Sequence, residues 1–176
     1  MNASDINGLV ELYGKDVFGF CKKITYSEFD AEELYQDTFL KALEIAGRID
    51  ENENPKSFLL SVAVSLWKNK QRKYARRARI APTDSFDADD SFIEPSDNNT
   101  PEDNFLKKEL YKKVNECIMQ LDDKMRIPIL LYYNSGMSTE EIAKIISCPQ
   151  GTVKSRLHKA RNLLKEKLEV YGIDRF

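Results

Sequence analysis

The chain has 176 residues, of which 41% are hydrophobic and 32% charged, a balance that favours small helical domains with much charged surface over one large core. Gly 7 and Pro 6 exclude collagen-like or flexible low-complexity architecture. The longest uncharged apolar stretch, Ser57 to Trp67, is too short to span a bilayer and is stopped by Lys68, and no basic segment precedes an apolar one at the start, so neither membrane span nor signal peptide is predicted and the expected location is cytoplasmic.

In chain order, the first element is a helix. Ile6, Leu9, Val10, Tyr13, Val17, Phe20, Cys21 and Ile24 recur at three- and four-residue steps. Asp30-Ala31-Glu32-Glu33 reads as the cap of a second helix. Its stripe is Ala31, Leu34, Tyr35, Thr38, Phe39, Ala42, Leu43 and Ala46, ending near Gly47. A polar loop from Arg48 to Glu53 leads to Asn54-Pro55, a cap and first-turn pair. This pair opens a long third helix through Phe58, Val62, Leu66 and Trp67 into Arg72 and Arg79.

The segment 81–101 is rich in Asp, Ser, Asn and Pro, lacks a helical stripe, and reads as a linker between two domains, 1–80 and 102–176. Thr100-Pro101 caps a fourth helix with Leu106, Leu110, Val114, Cys117, Ile118 and Leu121 inward. A fifth, from Asp122 to Tyr133, should bend at Pro128 and stop at Asn134-Ser135-Gly136. Ser138-Thr139-Glu140-Glu141 is a capping box opening a short helix with Ile142, Ile145 and Ile146 inward. Ser147 to Gly151 reads as a turn, and Thr152 onward as a long basic helix with Val153, Leu157, Ala160, Leu164 and Leu168 inward. No strand pattern is present, so the fold class is all-α.

The net charge of −2 conceals strong sorting along the chain. Glu28 to Glu53 holds nine acidic residues and two basic; Asn54 to Thr83 holds eight basic and none acidic. Asp84 to Asp103 holds eight acidic and none basic; Thr152 to Lys167 holds six Lys/Arg and one Glu. Two local basic faces, each beside an acidic segment, are the expectation.

Ser138 to Leu164 has the form of a helix-turn-helix, whose second helix enters the major groove. Val153 and Leu157 fix its buried side, leaving Lys154, Ser155, His158 and Lys159 pointing away. Gln150 and Thr152 stand at the helix start, where amides suit a phosphate. Arg156 and Arg161 flank. The third helix mixes cations with Trp67 and Tyr74, as a strand-binding surface would; Trp67 reads equally well as core or as a base contact. On the second helix, Glu32, Glu33, Gln36, Asp37 and Lys41 face outward beside Leu34, Tyr35 and Leu40, as a solvated face or, with Leu40 and either Leu34 or Tyr35 left exposed, a protein-binding one. Cys21, Cys117, Cys148 and the single His158 lack the spacing of a zinc site or a thiol nucleophile. No enzyme constellation, cofactor, metal site or small-molecule substrate is predicted.

Asp30 to Ala42, Pro55 to Ala63, and Ser138 to Ala143 followed by Pro149 to Arg161 resemble bacterial RNA polymerase sigma factors of the sigma-70 family. With two domains and a short linker, the chain is similar to the extracytoplasmic function (ECF) group. The resemblance implies a polymerase-clamp face carrying Leu34, Gln36, Asp37 and Leu40. It implies a minus-ten surface of Arg48, Asn52, Asn54, Lys56, Ser65, Lys68, Asn69 and Arg72. It implies a minus-thirty-five surface of Thr152, Lys154, Ser155, Arg156, His158, Lys159 and Arg161, with the acidic linker near the RNA exit path. Core RNA polymerase, promoter DNA and a cognate anti-sigma factor, often membrane-anchored in this group, are the implied partners. Many members have Asn where Ser65 stands, and Arg or an aromatic where Lys154 and His158 stand, so a promoter sequence is not carried over. The alternatives are a stand-alone helix-turn-helix regulator and a helical adaptor whose basic faces bind acidic proteins.

Overall fold

The computed structural model describes residues 3–45, 54–80 and 101–171. The expected linker, the loop residues Arg48 and Asn52, and the side chains of Ile6, Ala46 and Leu106 lie outside what is described. Regular structure among the described residues is all helical: α1 (Ala3–Ile24), α2 (Glu28–Ile45), α3 (Pro55–Ile80), α4 (Pro101–Met119), α5 (Asp123–Ile129), a π-helical turn (Leu130–Asn134), α6 (Thr139–Ile146) and α7 (Gln150–Glu169).

Helices α1 to α3 pack on one another through the apolar faces read from the sequence. Val17, Phe20, Cys21 and Ile24 of α1 meet Ala31, Phe39 and Ala42 of α2 and Leu59, Leu60, Ala63 and Val64 of α3. Removing each large side chain from water stabilises the bundle by about 1.5–3 kcal/mol. The rings of Phe18, Tyr35 and Phe39 form an edge-to-face series, with centroids 5.3 and 5.1 Å apart. Gly14 lets α1 approach this series, since a Cβ there would stand 3.0 Å from the Tyr35 hydroxyl.

Helix α2 starts earlier than the acidic cluster suggested. Ser27 is its cap: its Oγ accepts from the Asp30 amide at 3.1 Å and donates to Asp30 Oδ2 at 2.9 Å. Asp30 is thereby a third-position partner rather than the cap. It is buried because Lys70 of α3 pairs with both Asp30 and Glu33, joining the two helices. Burial opposes the ammonium charge of Lys70, yet these two carboxylates raise its pKa overall.

The remaining helices form a second layer. Leu121, Ile127, Ile129, Leu130, Leu131, Met137, Ile142, Ile146, Val153, Leu157 and Ala160 are buried in it, and this apolar cluster is continuous with that of α1 to α3. Pro128 does not bend a single helix ending at Tyr133; α5 ends at Ile129 and the backbone widens into the π turn. Proline has no N–H to give its preceding turn, and the chain resumes with the Ser135 amide donating to the Leu130 carbonyl at 3.1 Å. Three apolar residues expected inward, Val10, Leu43 and Leu110, are exposed. Trp67 resolves to the core: it is fully buried.

Candidate nucleic-acid interface

Helix α6 is held by a complete capping box. Ser138 Oγ accepts from the Glu141 amide at 3.2 Å, and Glu141 Oε2 accepts from the Ser138 amide at 2.9 Å. These bonds hold the Glu141 carboxyl below its ordinary pKa. Ser147, in the left-handed region at φ 55°, ends α6. The turn is shorter than expected: α7 begins at Gln150 behind Pro149, not at Thr152. The first amides of a helix have no acceptor within it, so Gln150 and Gly151 open α7 as an anion-suited end. Gln150 Nε2 also donates to Thr139 Oγ1 at 2.9 Å, tying the starts of α6 and α7 together.

Successive side chains on α7 turn by about 100°. Val153, Leu157 and Ala160 are buried, which places Ser155 near the centre of the opposite side. His158 and Lys159 flank it, and all three are exposed. Lys154 and Arg161 form one border of this face; Thr152 and the half-buried Arg156 form the other. The structure therefore brings all seven predicted α7 residues onto one rim-bounded surface. Among the described residues, Lys154, Lys159 and Arg161 make no ion pair, in contrast to Lys165, which reaches Glu169 at 3.8 Å. Ser155 Oγ donates back to the Thr152 carbonyl at 2.9 Å, and the His158 ring stands 3.3 Å from Asn162 Nδ2.

A shallow cavity of about 100 Å³ adjoins the Lys154–Arg161 border, lined also by Tyr132, Tyr133, Thr139 and Leu157. The two tyrosine rings meet edge to face at 4.9 Å and are both exposed. Sequence reading missed these tyrosines because they fall at the end of a helix whose π turn was not foreseen. Adjacent tyrosines just before Asn-Ser-Gly were the available signal.

On α3, Ser65, Asn69 and Arg72 are exposed at four- and three-residue steps, a single polar strip. Asn54 Oδ1 accepts from the Lys56 amide at 3.0 Å, and Lys56 Nζ pairs with Asp16 at 2.5 Å. Lys68 is half-buried and donates to the Ile146 carbonyl at 3.1 Å. Burial lowers its pKa, and the nearby charges of Arg156 and Arg72 lower it further. The two basic blocks of the sequence thus approach each other where α3 packs on α6.

On α2, Gln36, Asp37 and Leu40 are exposed, with Leu40 59% accessible. Leu34 is corrected: it is 2% exposed and belongs to the core with Ala31, Thr38 and Ala42, one and two turns away on the same side. Leu43, at 41%, extends the outward apolar face in its place. No group of His, Cys, Asp and Glu among the described residues is arranged to hold a metal. Burial pushes the Cys21 thiol up to about 12, far from a reactive thiolate. No described helix is long and apolar enough to cross a membrane.

Comparison with known proteins agrees with this geometry. Residues 9–77 match the model of sigma-70 region 2, and residues 111–164 that of sigma-70 region 4. The chain is 30% identical over 165 residues to the ECF RNA polymerase sigma-E factor of Haemophilus influenzae, covering 93% of this chain and 87% of that one. It is 29% identical over 164 residues to the ECF sigma factor SigW of Bacillus subtilis, covering 91% and 87%. Its fold is similar to that of the sigma factor RpoE of Bartonella quintana, solved in complex with the anti-sigma factor NepR, with a TM-score of 0.80 at 24% identity over 96% of this chain and 99% of that one. The chain belongs to the ECF group of the sigma-70 family, the factors that direct core RNA polymerase to promoters.

Proposed function

We propose that this sigma factor divides its work between residues 1–80 and 102–176, joined by a linker over 81–101. The exposed face of α7 reads the minus-thirty-five element, with Ser155 and His158 toward the bases and Lys154, Arg156, Lys159 and Arg161 toward the phosphates. The opening amides of α7 and Thr152 take a phosphate at its end. The strip Ser65, Asn69 and Arg72, together with Lys68, Lys56, Asn54 and the preceding loop residues Arg48 and Asn52, takes the minus-ten strand. Gln36, Asp37, Leu40 and the added Leu43 form the polymerase-binding face.

The observation that carries this reading is a cationic face on α7 without carboxylate partners among the described residues. Its buried side is fixed against a capped α6. The factor acts in the cytoplasm without catalysing a reaction itself. A cognate anti-sigma factor holds it inactive, as the complex of its Bartonella relative suggests.

Transcription in vitro with core polymerase and a promoter library tests the reading. Start sites that depend on this chain are expected, and Asp37→Arg should abolish them by weakening polymerase binding while helicity is unchanged. Co-purification with polymerase without promoter-dependent transcripts would favour an adaptor. Tight sequence-specific DNA binding without polymerase would favour a stand-alone regulator.

A further inference from the structure

Helix α2 turns Ala31, Leu34, Thr38 and Ala42 into the core. On the opposite side Phe29, Glu33, Gln36, Leu40 and Leu43 fall within about 80° of one another around the axis, and all five are exposed. Three of them are apolar: Phe29, at 76% exposure, opens the stripe, and Leu40 and Leu43 close it. From Phe29 to Leu43 the stripe runs about 21 Å, most of the helix. Acidic groups lie between its apolar ends. Glu32 and Asp37 are exposed beside it, and Lys41, the only cation of α2, is paired with Glu44 at 2.6 Å.

A phenyl ring this exposed adds little to the fold, yet the turn that carries it is firmly held. Ser27 caps the turn through Asp30. Lys22 of α1 pairs with Glu28 at 2.7 Å, and Lys70 of α3 pairs with Asp30 and Glu33. The residues on either side of Phe29 are thus tied to two other helices, while its own ring faces solvent. A large side chain on a fixed backbone loses little freedom when a partner covers it, and interface hot spots are rich in aromatic residues. Leu12 of α1 is exposed to almost the same degree, 74%. Its neighbours on that side are Gly8, Lys15, Asp16 and Gly19, and a single apolar residue on a polar surface needs no partner. Phe29 differs because it heads a stripe that also holds Leu40 and Leu43.

We propose that Phe29 is an anchor for core RNA polymerase, so that polymerase lies along the full length of α2, covering Phe29 at one end and Leu40 and Leu43 at the other, with cationic side chains over Glu32 and Asp37. This inference rests on the assignment of the outward face of α2 to polymerase, and it extends that face by about two helical turns, from Gln36 back to Phe29.

The test is binding of the full chain to immobilised core polymerase. Phe29→Ser removes the ring, Phe29→Leu keeps an apolar side chain, and Leu12→Ser removes an equally exposed apolar group elsewhere. Phe29→Ser should weaken binding by about tenfold or more, chiefly through faster dissociation, with helicity by circular dichroism and the urea midpoint unchanged. The salt dependence of its binding should match the parent's, since no charge is lost. Phe29→Leu should recover most of the loss, and Leu12→Ser should bind within about twofold of the parent. Phe29 and Leu43 are far enough apart that the losses from Phe29→Ser and Leu43→Ser should multiply in the double variant.

Parent-like binding by Phe29→Ser, with Asp37→Arg failing to bind, overturns the anchor and leaves the polymerase face standing. Parent-like binding by both variants overturns the assignment of α2 to polymerase and the anchor with it. An equal loss in Leu12→Ser traces the effect to general surface chemistry and overturns the anchor. A parent that sediments as a dimer, with Phe29→Ser a monomer of unchanged polymerase affinity, overturns it in favour of a second copy of this chain.

Discussion

The α7 surface makes a quantitative prediction about salt. Lys154 and Lys159 are exposed on the outward face and have no ion pair among the described residues, so each is free to displace a counterion from a DNA phosphate. Every neutralised phosphate contributes about 0.9 to the slope of log K against log salt. The double variant Lys154→Ala/Lys159→Ala should therefore lower that slope by about 1.8. Between 50 and 200 mM salt, a fourfold change, the parent should lose about twelvefold more affinity than the variant does. The assay is fluorescence anisotropy of the full chain on a labelled 30-base-pair duplex across a salt series. Lys165→Ala is the control, because Lys165 sits near the far end of α7 beside Glu169, and its slope should match the parent. A double variant with the parent's slope would remove Lys154 and Lys159 from the DNA and refute the reading of this face.

Two further predictions concern residues whose placement decides their role. Leu34→Ala empties a site in the α2 core and should destabilise the chain by about 2–5 kcal/mol in urea unfolding, without the selective loss of polymerase binding expected of Asp37→Arg. Ser138→Ala removes the α6 cap and should cost about 1 kcal/mol. The carboxyl of its partner Glu141 has a folded pKa below the ordinary value of 4.5. Its stabilising contribution is complete above that ordinary value and is lost as the pH falls through the lower folded one. Glu141→Gln should remove this part of the acid dependence, measured as the pH profile of the urea midpoint.

Much of the architecture was legible in the sequence because the signals were local. The apolar faces of α1 and α7, the Asn54-Pro55 opening of α3 and the Ser138–Glu141 box depend only on residues within a few turns of each other. The outward face of α7 was legible for the same reason: fixing Val153 and Leu157 inward fixes Ser155 and His158 outward. Legibility failed where two signals competed locally. Both Ser27 and Asp30 can cap a helix, and the reciprocal bond between them chose Ser27. Pro128 announced an irregularity but not its form, a widened π turn that carries Tyr132 and Tyr133 beside Lys154 and Arg161 of α7.

What the sequence by itself determined was helix position, helix sidedness and the segregation of charge, since these follow from periodicity and from chemistry along one element. It could not decide between two apolar neighbours on one helix: Leu34, placed both in the inward stripe and, by resemblance, on the polymerase face, is core, while Leu43 was expected inward and is exposed. Nor could it say whether Trp67 served the core or a base. Those choices belong to the tertiary structure, because they depend on which helix from a distant part of the chain arrives alongside. The Trp67 indole donates to Asp123 Oδ2 at 2.9 Å, 56 residues further along the chain, and no local pattern encodes that meeting.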